Sequence, residues 1–149
     1  MTTSPSSTAS PPSAVAAEGS CLCGAVRFRV EPPYRAFWYC HCSRCRKATG
    51  SAHAANIFVP IEGFAWTAGE ASVRRHEHAS AKLFCTGFCA TCGSSLPWIT
   101  RNGKTAIVPA GALDTDPGER PQRNVFFASG APWTLSCADL PAFDEQPPG

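Results

Sequence analysis

The sequence predicts a small, mainly β protein rich in turns. Proline (14) and glycine (12) are abundant among the 149 residues. No stretch carries the long apolar period of amphipathic helices, whereas several short segments alternate apolar and polar residues. The charged fraction, 16%, lies well under the roughly 25% of average usage. A chain of this length suits one domain with a proper core.

The elements follow in chain order. Residues 1–17, MTTSPSSTASPPSAVAA, are low-complexity and bury too little apolar surface to offset ordering entropy, so a disordered tail is expected there. A single folded domain is expected over 18–149. In GAVRFRV, Val26, Phe28 and Val30 alternate with Arg27 and Arg29, the period of a strand with one buried face. SRCRKATG predicts one or two helical turns after Cys42, with Gly50 as the stop. AANIFVP, SVRRHEH, TAIVPAG and NVFFAS read as further short strands bounded by Gly, Pro or Ser. PAFDEQPPG suggests an extended, peripheral end. Trp66, Trp98 and Trp133 are expected in the core or on a sheet face.

Composition narrows the function. A net charge of +2 gives no basic stripe for nucleic acid. No apolar run approaches the ~18 residues of a membrane span. Nine cysteines imply either disulfides or metal. The odd count argues against a closed disulfide set. The first 17 residues have no charged side chain and no apolar run, which is unlike a secretory or mitochondrial leader. A reducing cytoplasm is the expected location, with thiols available for zinc.

The cysteines fall in short pairs: Cys21-Leu-Cys23, Cys40-His-Cys42, Cys42-Ser-Arg-Cys45 and Cys89-Ala-Thr-Cys92. Zinc holds thiolates at about 2.3 Å, so tetrahedral sulfurs sit about 3.8 Å apart. In an extended C-x-C both side chains leave one face of the strand. C-x-x-C followed by Gly93 gives a tight turn that aims both sulfurs at one point. Two pairs close a zinc site, and Cys21 and Cys23 with Cys89 and Cys92 would make one of structural type. Cys40, Cys42 and Cys45 then remain, and three ligands with an open position is the pattern of catalytic zinc. Three thiolates leave the ion a weak Lewis acid, suited to activating an incoming thiol. The competing reading is that Cys85 reaches this second zinc and closes it.

GSCLCGAVRFRV, YCHCSRCRKATGSAHA, GFCATCGSSLPW and RPQRNVFFASGAPW with LPAFDEQPP together resemble the glutathione-dependent formaldehyde-activating enzyme family, which also contains centromere protein V. The resemblance covers about residues 18–148. It implies a "β-tent" of two or three small sheets around zinc, with few short helices. It also implies two zincs per chain: a structural one on Cys21, Cys23, Cys89 and Cys92, and a catalytic one on Cys40, Cys42 and Cys45. The implied activity is that of a carbon–sulfur lyase related to S-(hydroxymethyl)glutathione synthase, which joins glutathione as co-substrate to formaldehyde. A small-molecule thiol and an aldehyde are the implied partners, and a homo-oligomer is compatible with this. Arg44, Arg46 and Lys47 could bind the glutathione carboxylates or simply balance the thiolate charge. The resemblance leads one to expect a histidine where Asn124 stands.

Other side chains carry weaker signals. His41, between two ligands, should face away from the metal and serve in packing, an acid–base role being the alternative. Trp38 and Tyr39 could line the pocket or pack. Cys137 is expected to pack, and His76 and His78 to lie on a solvated strand. The alternative function is a zinc-stabilised binding module without catalysis, and a metal-buffering protein is a third reading.

Overall fold

A computed structural model describes residues 13–149. Eleven strands and one α-helix form three small antiparallel or mixed sheets, as the sequence predicts. The strands are β1 (Ala17–Ser20), β2 (Arg27–Val30), β3 (Ala36–Cys40), β4 (Ala54–Pro60), β5 (Phe64–Ala68), β6 (Val73–Glu77), β7 (Cys85–Cys89), β8 (Ser95–Leu96), β9 (Trp98–Ile99), β10 (Thr105–Pro109) and β11 (Arg123–Val125). The helix is α1 (Ser43–Thr49). The sheets run β1-β2-β5, β11-β3-β4-β10-β9 and β6-β7-β8. No helix among the described residues is long and apolar enough to cross a membrane.

The tail expected over 1–17 lies mostly outside the described residues. At its end the Val15 amide donates to the Pro117 carbonyl, and Ala17 already pairs with Val30 in β1. Val26, Phe28 and Val30 are buried as their alternation requires, and Phe28 packs edge-on against Trp66.

The five-stranded sheet positions Cys40 and most of the side chains around it. Antiparallel pairing sets Trp38 opposite Asn56, Ala36 opposite Phe58 and Cys40 opposite Ala54. The next ladder sets Ile107 opposite Phe58 and Pro109 opposite Asn56. Side chains alternate between faces. One face therefore carries Trp38, Cys40, Asn56, Phe58 and Ile107. The other sends Phe37, Tyr39, Ile57, Val59, Ala106 and Val108 into the main core, where they meet Val26, Phe28, Val30, Cys89 and Leu96 from the other two sheets.

Three expectations are corrected. NVFFAS is a strand only to Val125: β11 pairs in parallel with β3, and the pairing ends where β3 ends, at Val125 opposite Cys40. Phe126 then turns left-handed at φ 51, and residues Phe127–Ser129 form a 3-10 turn. Trp133 is 64% exposed rather than buried, and Cys137 is also exposed rather than packed, because the chain after Ala131 forms no strand.

Candidate metal centres and a cavity at the second one

The two cysteine groups assemble as separate clusters. In each, the candidate ligand atoms all lie within 4.8 Å of one another: Cys21, Cys23, Cys89 and Cys92 in the first, Cys40, Cys42 and Cys45 in the second.

The first cluster joins two turns. Cys21 and Cys23 sit in the β1–β2 connection, Cys89 ends β7, and Cys92 lies in the β7–β8 turn. The Gly93 amide donates to the Cys89 carbonyl, and its φ of 74 closes that turn. Ser94 ties the turns together: its hydroxyl accepts from the Leu22 amide at 2.8 Å and lies 3.3 Å from the Cys92 sulfur. The Ser94 contact is the main cause that holds the Cys92 thiol down to about 5. Sulfur separations of 3.5 Å (Cys21 to Cys23) and 3.9 Å (Cys23 to Cys89) straddle the ~3.8 Å of tetrahedral zinc thiolates. Four converging thiols therefore fit a closed metal site.

The second cluster spans the junction of β3 and α1. Cys40 ends the strand. Cys42 caps the helix, its sulfur accepting the Cys45 amide at 3.4 Å. Cys45 lies one turn on, and Gly50 ends the helix in the left-handed conformation expected of a stop. A hydrogen bond from the Cys45 thiol draws Cys40 down to about 6 despite burial, and the same contact together with burial pushes Cys45 up. A soft donor set of three converging thiols fits a thiophilic metal such as zinc.

Cys85 does not join the second cluster. Its sulfur is fully buried and accepts from Arg75 Nη2 at 2.9 Å, and Arg75 also bonds Glu77 Oε1 and the Ile99 carbonyl. Burial is the main cause that raises its thiol. Among the described residues no further candidate ligand lies with Cys40, Cys42 and Cys45.

His41 faces away from the cluster, as strand alternation requires. It is 3% exposed, and its Nε2 lies 2.8 Å from Asn124 Oδ1. Phe127 meets the ring edge-on, and His53, stacked on Tyr39, is a further neighbour. Asn124 thus holds the backbone between two of the cysteines through His41. His76 is exposed, while His78 is half-buried against Phe84.

A cavity of about 650 Å³ opens on the second cluster and is lined by all three of its cysteines. Its wall is the site face of the five-stranded sheet, with Trp38, Asn56, Phe58 and Ile107, completed by Trp98, Phe84, Val125 and Phe126. Arg44 and Lys82 are its cations. Arg44 makes a 3.5 Å contact with Ser80 Oγ. Arg46 and Lys47 do not line this cavity, and both lie in the last turn of α1, where they offset the helix dipole. A smaller cavity, about 270 Å³, meets Cys45 from another side and offers Thr49, Thr86 and Ser95. Asn56, Phe84 and Trp98 line both. Sequence reasoning missed Asn56, Lys82 and Phe84. Asn56 left one trace, a carboxamide inside the otherwise apolar AANIFVP.

The family model described as glutathione-dependent formaldehyde-activating enzyme matches residues 16–129. A Halomonas elongata protein, provisionally named as a glutathione-dependent formaldehyde-activating enzyme, is 36% identical over 118 residues, covering 71% of each chain. The crystal structure of a Rhodobacter sphaeroides protein, a structural-genomics target, superposes with a TM-score of 0.53 at 27% identity, covering 70% of this chain and 97% of that one.

Proposed function

Since the chain belongs to the glutathione-dependent formaldehyde-activating enzyme family, we propose that it forms or cleaves a thiol–aldehyde adduct, with glutathione as the thiol, in the manner of S-(hydroxymethyl)glutathione synthase. The observation that carries this reading is the cavity on Cys40, Cys42 and Cys45, with no fourth protein ligand atom grouped with them among the described residues. A cluster closed by Cys85 would have favoured a purely structural role.

Cys40, Cys42 and Cys45 would hold the catalytic zinc, and Cys21, Cys23, Cys89 and Cys92 the structural one. Bound by three thiolates, zinc supplies an electrophilic centre that lowers the pKa of an incoming thiol. Arg44 and Lys82 bind the glutathione carboxylates by charge-assisted hydrogen bonds. The Asn56 carboxamide, the only one lining either cavity, donates to the aldehyde oxygen as negative charge develops there. The apolar wall excludes water and keeps both reactants together, the main effect needed for a reaction that is already facile. The sulfur–carbon bond forms as the carbonyl π bond opens, and the thiol proton leaves through solvent while the oxygen takes one up. The cleavage direction reverses these steps. The reaction belongs to the carbon–sulfur lyases, and a cytoplasm supplied with glutathione is its fitting location.

The test is the rate at which the zinc-loaded chain brings glutathione and formaldehyde, or a panel of small aldehydes, to equilibrium. Acceleration that disappears in Cys42→Ser supports the reading. Equal rates with the parent, with Cys42→Ser and without protein would refute it.

A further inference from the structure

The cavity on the second cysteine cluster has a more apolar wall than glutathione and formaldehyde require. Formaldehyde needs little more room than a water molecule, whose share of liquid volume is about 30 Å³. The cavity holds about 650 Å³, within the roughly 300–1,000 Å³ of pockets that enclose drug-sized ligands. Glutathione is polar and anionic, so Arg44 and Lys82 match it. Trp38, Phe58, Trp98 and Ile107 match neither reactant.

This apolar wall is a built feature. Trp38, Phe58 and Ile107 stand on one face of three adjacent strands, and β9 brings Trp98 beside Ile107. The Trp38 and Phe58 rings pack with centroids 5.0 Å apart, and Phe84 packs on Trp98 at 5.4 Å. At the rim Phe126 is 67% exposed and held at positive φ. A bulky side chain is disfavoured in that conformation, yet this one lines the cavity.

We propose that the carbonyl partner is a hydrophobic aldehyde, aromatic or medium-chain, whose substituent lies against Trp38, Phe58, Trp98 and Phe126. This rests on the thiol–aldehyde reading above and names its substrate class. The chemistry stays balanced: the glutathione sulfur bonds to the aldehyde carbon, the carbonyl π bond opens, and the oxygen gains a proton as the thiol loses one. No oxidant or reductant takes part. Burying a ring or a chain of several carbons against this wall favours the larger adduct by at least tenfold.

The test has two arms on the zinc-loaded full chain. The first compares kcat/KM for phenylacetaldehyde, hexanal and formaldehyde at fixed glutathione. The second titrates tryptophan fluorescence with S-benzylglutathione and S-methylglutathione, stable stand-ins for the two sizes of adduct. The expected results are a kcat/KM at least tenfold higher for the two larger aldehydes and binding at least tenfold tighter for the benzyl compound. Trp38→Ala and, independently, Phe84→Ala should each shrink the benzyl-to-methyl ratio with metal content unchanged. Equal binding of the two compounds, with acceleration of formaldehyde alone, overturns the inference and leaves the thiol–aldehyde reading standing. Preferential benzyl binding without acceleration of any aldehyde overturns the thiol–aldehyde reading and, with it, the inference that rests on it.

Discussion

Replacing Cys85 with alanine separates an open second cluster from a closed one. The substitution removes one sulfur from a site with no solvent exposure. Losing that buried atom costs about 1 kcal/mol, on the scale of a buried methylene plus its residual cavity. Arg75 also loses an acceptor, but it keeps Glu77 Oε1 at 3.0 Å and the Ile99 carbonyl at 2.6 Å, so no guanidinium is orphaned. A second contribution of no more than about 1 kcal/mol follows. The expected total is about 1–2 kcal/mol in urea unfolding at fixed zinc, with the metal content per chain unchanged. Loss of one tightly held metal in Cys85→Ala would refute the placement of Cys85 with Arg75 and make the second cluster a four-thiolate structural site.

Asn124→Ala removes the acceptor of His41 Nε2 inside the fold, where Nδ1 already lacks a partner. It should cost about 1–3 kcal/mol in denaturant unfolding, and a loss under 0.5 kcal/mol would show that the pair does not hold the backbone between Cys40 and Cys42. Phe126→Asn puts a residue that tolerates positive φ at a strained position. Calorimetry should find it about 0.5–1 kcal/mol more stable, while fluorescence titration finds weaker binding of S-benzylglutathione; a destabilised variant would contradict the strain argument. The Cys40 thiol, drawn down to about 6 from 9.0 in the metal-free protein, has a definite pH signature. Its contribution to the stability of that form is full above pH 9, shrinks below it and is lost as pH falls through about 6. Thiolate absorbance of the parent minus Cys40→Ser should titrate near pH 6, and a midpoint near 9 would contradict the shared hydrogen bond with Cys45.

Local spacing was readable wherever one segment settles the geometry. Period 2 in GAVRFRV buries Val26, Phe28 and Val30. The pairs Cys21/Cys23 and Cys89/Cys92 meet, and alternation alone turns His41 away from Cys40 and Cys42. The cavity wall was hidden because it depends on register between distant strands: Trp38, Asn56, Phe58 and Ile107 share a face only once β3, β4 and β10 are aligned. Lys82 and Phe84 arrive from the connection before β7, which no local pattern foretells. For Arg44, Arg46 and Lys47, adjacency in sequence hid that helical geometry points successive side chains in different directions, so only Arg44 lines the cavity. NVFFAS fails as a full strand because β3 stops at Cys40 and leaves nothing for Phe126 to pair with. Cys85 resembled a ligand by type and proximity in sequence, but β7 pairs with β6 and delivers it to Arg75 and Glu77.

The most direct test is the metal spectrum of the chain with and without glutathione. Cobalt(II) in place of zinc reports the thiolates at each site. The account predicts two metals per chain, and on adding glutathione a change in thiolate-to-metal absorption at one of them, lost in Cys42→Ser and kept in Cys85→Ala. Two metals with a spectrum that glutathione leaves unaltered, or one metal per chain, would contradict it.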